Sequence, residues 1–472
     1  MALPLTNGII SLPTETLSDI FRFAVAGVTP GFWRPIPALS TAPSLQTELE
    51  RVANAPLLVL SQVCLQWHEI AINNPTFWSD VEINGVLGRA PGVLEKAIGL
   101  LSARLERSRD APLSVSLTCE DDGKPPHTRI FHLLAQHSHR WETAWVACSL
   151  EGLDTSVLNG RLPRLKDFQL KLPFATKLET VNFFGITPRL VNLSISAPLL
   201  RSKSLAAILR RRQLRSFGCV VMFRPEFQEV ISMLPRLPVT TNEFDLTMDL
   251  NHRVFQPHWS LPLHLPSITA SISTLTLSSA FEFHPHQLSE VLDQVLASLT
   301  LPKLLQMRVK CGVYPKCVWE WPHTQFLALC ERSGLGRCLK TLGIAEVRIT
   351  EGDLLEILSV LEALEHLAVG DDPRDLGEGE SLLLTDSFLS AMTWVPARDC
   401  LAPRLSYFDC TSRLRFTHSL VVDFVESRLG RSADALFHLR IHSLLQSDAP
   451  LDSVVHTKLC DLAAHNKHFM YI

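Results

Sequence analysis

Eighteen histidines and eleven cysteines supply material for metal binding or nucleophilic catalysis, so their spacing decides what they can do. The closest histidine pairs are His137/His139 in "HSHRW" and His284/His286 in "HPH". The cysteines nearest to a cluster are Cys311, Cys317, Cys330 and Cys338. Paired zinc ligands usually stand about two to four residues apart, and these cysteine gaps are longer, so a zinc site is not expected. The cysteines, Cys64, Cys148, Cys219 and Cys460 among them, read instead as buried thiols acting as small hydrophobes. Their odd number and scatter argue against a disulfide scaffold and for a reducing compartment, cytoplasm or nucleus. The chain has no G-x-S-x-G elbow, no phosphate-binding G-x-x-x-x-G-K-[ST], no H-E-x-x-H and no complete G-x-G-x-x-G. The expectation is a non-catalytic protein with no metal and no cofactor.

Charge narrows the partners further. A net charge of −4 gives no bulk attraction to nucleic acid or anionic lipid. Neither a secretory signal nor a membrane-spanning run is expected from the sequence. Two local clusters stand out as candidate contacts for a target protein. Arg210, Arg211 and Arg212 in "LRRRQLRSF" fall where a helix should end, where cations favour the dipole. Asp371 and Asp372 open the acidic stretch "DDPRDLGEGE", read as a loop. Solvated termini and loops explain both clusters as well as docking does.

The elements that would position such contacts fall into two textures. In "LPTETLSDIF" a helix should begin at Pro13, with Glu15 in its first turn, where the dipole favours an acid. Leu17, Ile20, Phe21 and Ala24 form one apolar face. A proline-rich insertion at about 27–56 comes next. After Pro56 a second helix is expected, carrying Leu57, Leu60, Cys64, Trp67 and Ala71 as a stripe that Val63 and Ile70 widen. "NNPTFW" then breaks it and adds Phe77 and Trp78. So few helices bury little core alone, and their apolar surface needs either a partner or the rest of the chain.

Beyond residue 86 one short pattern returns: apolar, two variable, apolar, variable, apolar. It occurs as "LKDFQL", "LVNLSI", "LRSFGC", "ISTLTL", "LLQMRV", "LKTLGI", "LEHLAV", "LSYFDC" and "LFHLRI". The middle apolar residues are Phe168, Leu193, Phe217, Leu275, Met307, Leu342, Leu367, Phe408 and Leu439, with weaker copies at Ala144 and Phe244. Their drifting interval suits strand-plus-helix units that bury their apolar residues by stacking. The fold expected is an α/β solenoid: a small helical domain at 1–85, then a repeat solenoid at 86–472.

The front stretch, "LPTETLSDIF…VLSQVCLQWHEIAINNPTFW", resembles an F-box, and the remainder of the chain resembles the irregular leucine-rich repeats of large fungal F-box families. The matching positions are Leu12, Pro13, Glu15, Leu17, Ile20, Val63, Cys64, Trp67, Ile70 and Trp78. The long insertion departs from the family's short loop. The resemblance implies a substrate receptor of a cullin–RING ubiquitin ligase. Its front would bind a Skp-type adaptor through these residues together with Phe21 and Leu60, and its repeats would hold a target. The alternative is a repeat scaffold with a degenerate F-box and no ligase. An interface residue and a core residue look alike in sequence, so the front residues fit both docking and internal packing.

Overall fold

In the computed structural model every copy of the apolar pattern is a β-strand. The structure describes residues 12–25, 56–84, 91–118, 126–148, 155–158, 161–171, 187–196, 213–221, 224–248, 265–279, 285–311, 319–370, 383–395, 401–414, 416–430, 437–443, 451–466 and 469–471. The proline-rich insertion therefore lies almost entirely outside the described residues. The chain divides into two compact units, Met1–Leu214 and Arg215–Ile472.

The first unit opens with helices α1 (Thr14–Val25), α2 (Pro56–Leu60) and α3 (Leu65–Asn73), then a short 3-10 turn, Pro75–Trp78. Strands β1 (Asp80–Asn84), β2 (Leu113–Thr118), β3 (Trp141–Ala147), β4 (Asp167–Lys171) and β5 (Asn192–Ser196) come after it, each parallel to the next. Helices α4 (Pro91–Arg107) and α5 (Pro126–Gln136) make the first crossovers that parallel pairing requires. In register, Val81, Val115, Ala144, Phe168 and Leu193 stand side by side.

The second unit repeats the plan over nine strands. They are β6 (Ser216–Val221), β7 (Glu243–Met248), β8 (Thr274–Ser279), β9 (Gln306–Lys310), β10 (Thr341–Ala345), β11 (His366–Gly370), β12 (Tyr407–Ser412), β13 (Phe437–Ser443) and β14 (Phe469–Tyr471). All pair in parallel and in chain order, without closing into a barrel. The row Phe217, Phe244, Leu275, Met307, Leu342, Leu367, Phe408, Leu439 runs unbroken across them. Between strands lie α6 (Arg224–Met233), α7 (Pro285–Ser298), α8 (His323–Ser333), α9 (Glu351–Val360), α10 (Asp386–Met392), α11 (Ser419–Leu429) and α12 (Ser453–His465). This is a solenoid-like α/β arrangement.

Local sequence explains the entry into four of the strands. In "LPRL", "TPRL", "LPKL" and "APRL" the proline pre-sets a tight turn, closed by the last leucine's N–H on the carbonyl before the proline. The four bonds are Leu165 to Leu162, Leu190 to Thr187, Leu304 to Leu301 and Leu405 to Ala402, at 3.1–3.4 Å. The next two residues then donate to one carbonyl of the preceding repeat. Thus Lys340 and Thr341 share Leu305, and Glu365 and His366 share Lys340. The register is set here, before the strand pairs.

One strand face packs on the helices. Phe408 meets Phe424 of α11 edge-on at 5.7 Å, and Phe388 of α10 at 6.3 Å. Arginines, two of them buried, tie neighbouring elements together. Arg428 of α11 donates to the carbonyls of Met392 (2.6 Å), Ala402 (2.9 Å) and Leu401 (3.0 Å). Arg332 of α8 reaches Leu296 (2.8 Å) and Leu299 (3.2 Å), at the end of α7. In the first unit Arg140 binds the Ala111 carbonyl and Ser108 Oγ. Each guanidinium donates to carbonyls at a helix end or turn. Helix starts are linked too. Thr385 and Ser387 donate to the Glu351 carboxylate, and Asp386 accepts from Thr417 N–H and Oγ1. Those two bonds hold the Asp386 carboxyl below its usual range.

Candidate functional site

The front helices are the one described region where packing and exposed apolar surface coexist closely. Their core is Leu17, Phe21, Leu57, Ile70, Ala71, Phe77 and Trp78. Phe21 sits at its centre, edge-on to Trp67 at 5.0 Å and tilted against Phe77 at 6.2 Å. Trp78 is fixed twice. Its Nε1 donates to the Ala71 carbonyl at 2.8 Å, and the Arg107 guanidinium of α4 lies 4.5 Å from its ring. That cation–π contact joins the helical module to the first strand-helix unit.

The second helix differs from expectation. The apolar stripe from Leu57 to Ala71 is split between α2 and α3, because the chain turns at Ser61–Val63 and Cys64 is extended (φ −158°). Short bonds, Gln62 N–H to Val59 O and Val63 N–H to Leu60 O, close α2. His68 Nδ1 lies 3.2 Å from the Ser61 carbonyl and satisfies the turn. The break rotates the stripe, so Val63 is 58 % exposed rather than packed beside Ile70.

The residues expected to dock an adaptor therefore divide. Leu17, Phe21, Ile70 and Trp78 are buried and hold the module together. Leu12, Leu60, Cys64 and Trp67 are half-buried at its rim. Pro13, Glu15, Ile20 and Val63 face outward. Sequence reasoning missed Val59 and Leu65, which are 52 % and 74 % exposed. Only the backbone break between the two short helices turns them out, and no residue type announces it.

No family model and no curated protein matches the chain.

The remaining candidates are scattered. Arg210, Arg211, Arg212, Asp371 and Asp372 lie outside the described residues, as do Cys317 and His284. His137 is half-buried, and burial, with Arg140 and His139 nearby, lowers its pKa. Among the described residues no three histidine, cysteine or acidic side chains gather as metal ligands. Cys148, Cys219, Cys311, Cys330 and Cys410 are buried thiols, and burial pushes Cys330 up to about 12. Cys460, expected to be buried, is exposed on α12, with His456 Nε2 3.7 Å from its sulfur. The core side of α12 is carried by Val455 and Leu459 instead. No described helix is long and apolar enough to cross a membrane.

One buried group was not anticipated. Asp245 on β7 is 4 % exposed, accepts a 3.1 Å bond from Thr247 Oγ1, and leaves its second oxygen without a hydrogen bond. Burial raises its pKa to about 8. A neutral carboxylic acid is the form that such a site tolerates.

Proposed function

We propose that this chain is a non-catalytic substrate receptor: its front helices dock a Skp-type adaptor of a cullin–RING ubiquitin ligase, and its repeats hold the target. The observation that carries the reading is exposed apolar surface on an otherwise well-packed small module. Ile20, Val59, Val63 and Leu65 are 45–74 % exposed, and they are four of the eleven large hydrophobics exposed among the described residues. Half-buried Leu12, Leu60 and Trp67 add anchors of the kind that dominate interface energetics. Apolar surface of this kind marks a protein-interaction site. The mechanism would be proximity: holding a target near a charged ubiquitin-conjugating enzyme raises the effective concentration of the reacting groups.

The test is co-expression with a Skp-type adaptor, followed by size-exclusion chromatography. The wild-type chain should co-elute with the adaptor, and Ile20→Asp with Val63→Asp should abolish this while leaving the circular dichroism spectrum unchanged. Failure of the wild type to co-elute, or co-elution that the double variant does not alter, contradicts the reading. Co-elution without ubiquitination of bound proteins in a reconstituted ligase would leave a scaffold in place of a receptor.

A further inference from the structure

The repeat formed by α12 and β14 is held to its neighbour lightly. β14 pairs with β13 over three residues, Phe469, Met470 and Tyr471, with Phe469 stacked on Phe437 at 6.4 Å. On the helix side, the start of α12 is joined to the start of α11 through one imidazole. That ring is His418, the residue that precedes α11. Its Nε2 lies 3.0 Å from the Leu414 carbonyl, and its Nδ1 accepts the backbone N–H of Asp452, the N-cap of α12, at 2.9 Å. Both partners are backbone groups with one role each: the carbonyl only accepts and the N–H only donates. The bonded ring is therefore neutral, with its proton on Nε2.

The ring also holds a strained backbone. Leu414 is buried and takes φ +52°, a left-handed conformation that a branched residue adopts only at a cost. Phe416 packs edge-on against the imidazole at 5.6 Å and fixes its orientation. Protonation reverses the role of Nδ1, because an imidazolium donates from both nitrogens. Nδ1–H would then face Asp452 N–H, and the link to α12 is lost. The added charge would also sit at the starts of α11 and α12, the positive ends of both helix dipoles. The titratable groups around the joint are Arg413 in the turn, Asp386 of α10, and Asp452 and His456 of α12; α11 itself has none before Asp423. The Asp386 carboxylate already accepts two bonds from Thr417, and the Asp452 carboxylate accepts from Val454 N–H. A contrast stands at α8. His323 Nε2 is 2.9 Å from Glu356 Oε2 and its Nδ1 is 3.6 Å from Asp353 Oδ1, so there a second proton would meet a carboxylate.

We infer that His418 is a proton-operated latch between the α11 and α12 repeats, closed by the neutral ring and released when the ring is protonated. Imidazoles change charge between about pH 5 and 8, so the latch opens as pH falls through that range and closes as it rises. Release removes the bond that ties the start of α12 to α11 and to the strained turn at Leu414. It leaves the α12 repeat held by its apolar side, Val455 and Leu459, and by the three-residue pairing of β14. Such a unit opens locally before the rest of the sheet does. The latch does not depend on the receptor reading above.

The test is hydrogen–deuterium exchange of the full chain at about pH 7.5 and about pH 5.5, with labelling times scaled to the intrinsic exchange rate at each pH. Peptides covering α12 and β14 should lose protection by about threefold to tenfold at the lower pH, the range that one lost hydrogen bond implies. Peptides covering α8 and α9 should keep theirs. His418→Gln carries a neutral side chain at both pH values and should show equal protection at both. His456→Gln should respond as the wild type does. The inference is overturned by unchanged wild-type protection over α12 and β14, by a drop that His418→Gln shares, or by a drop spread evenly over all peptides. A response that His456→Gln abolishes and His418→Gln keeps overturns it as well.

Discussion

The front helices and the second unit's repeats solve the problem of a small core in opposite ways. The helical module closes six residues around Phe21 and leaves Ile20, Val59, Val63 and Leu65 in water. The repeats leave their sheet's core row uniformly buried, from Phe217 to Leu439. They also satisfy the helix ends internally, through Arg332, Arg428 and the bonds between successive helix starts. The difference teaches where stability comes from. In the repeats each unit is completed by its neighbours, as nearest-neighbour stacking requires. In the front module exposed apolar side chains stand beside the core.

Core truncations should separate the two regions most strongly. Phe408→Ala removes a ring that touches Phe388 and Phe424, and should cost about 3–5 kcal/mol in urea unfolding. Phe21→Ala should cost a similar amount but unfold only the front module, read by loss of the Trp67 and Trp78 fluorescence environment. A front module that survives Phe21→Ala would break the comparison.

Arg428→Met should cost about 3 kcal/mol. It removes three guanidinium bonds, to the Met392, Leu401 and Ala402 carbonyls, and a buried carbonyl that loses a partner carries a desolvation cost. Lysine should not rescue it, because one ammonium cannot span the three carbonyls as the fork does. Denaturation midpoints of the two variants check both statements.

Asp245 supplies a smaller, pH-dependent effect. Its carboxyl stays protonated in the folded state up to about pH 8, whereas in the unfolded chain it ionises near 3.8. Between these values the unfolded state binds fewer protons, so stability falls as pH rises. The contribution is full below pH 4 and is lost progressively towards pH 8. One proton corresponds to about 1.4 kcal/mol per pH unit, so wild type should lose about 2–3 kcal/mol between pH 5 and 7 relative to Asp245→Asn. Parallel stability curves of the two proteins measure this directly.

Helix starts carry the smallest effect. The Thr350 hydroxyl accepts from Asp353 N–H at 3.1 Å, and Thr350→Ala should lower stability by about 1 kcal/mol. Thermal melts will show it as a shift of a few degrees at most.

The strands were legible because they repeat one local condition: an apolar residue on the helix side, flanked by a turn that proline sets. The rows from Ala144 to Leu193 and from Phe217 to Leu439 carry the apolar residue on every strand, and the proline turn precedes four of them. β1 carries the same register through Val81 but lacks the leading leucine pattern, so it did not stand out, whereas "PLSVSL" at β2 alternates as a strand should. The break at Ser61–Cys64 was hidden because apolar spacing continues through it, and only backbone geometry rotates Val63 outward. The arginine ties and buried Asp245 depend on which carbonyl or strand lies opposite. That is settled by tertiary contact, about which residue type says nothing.

Hydrogen–deuterium exchange of the full chain, alone and with a Skp-type adaptor, tests the central claim most directly. Protection should be confined to peptides spanning 12–22 and 57–70, where Ile20, Val59, Val63 and Leu65 lie, with no change in the strands of the second unit. Unchanged exchange across those front peptides at saturating adaptor would contradict it.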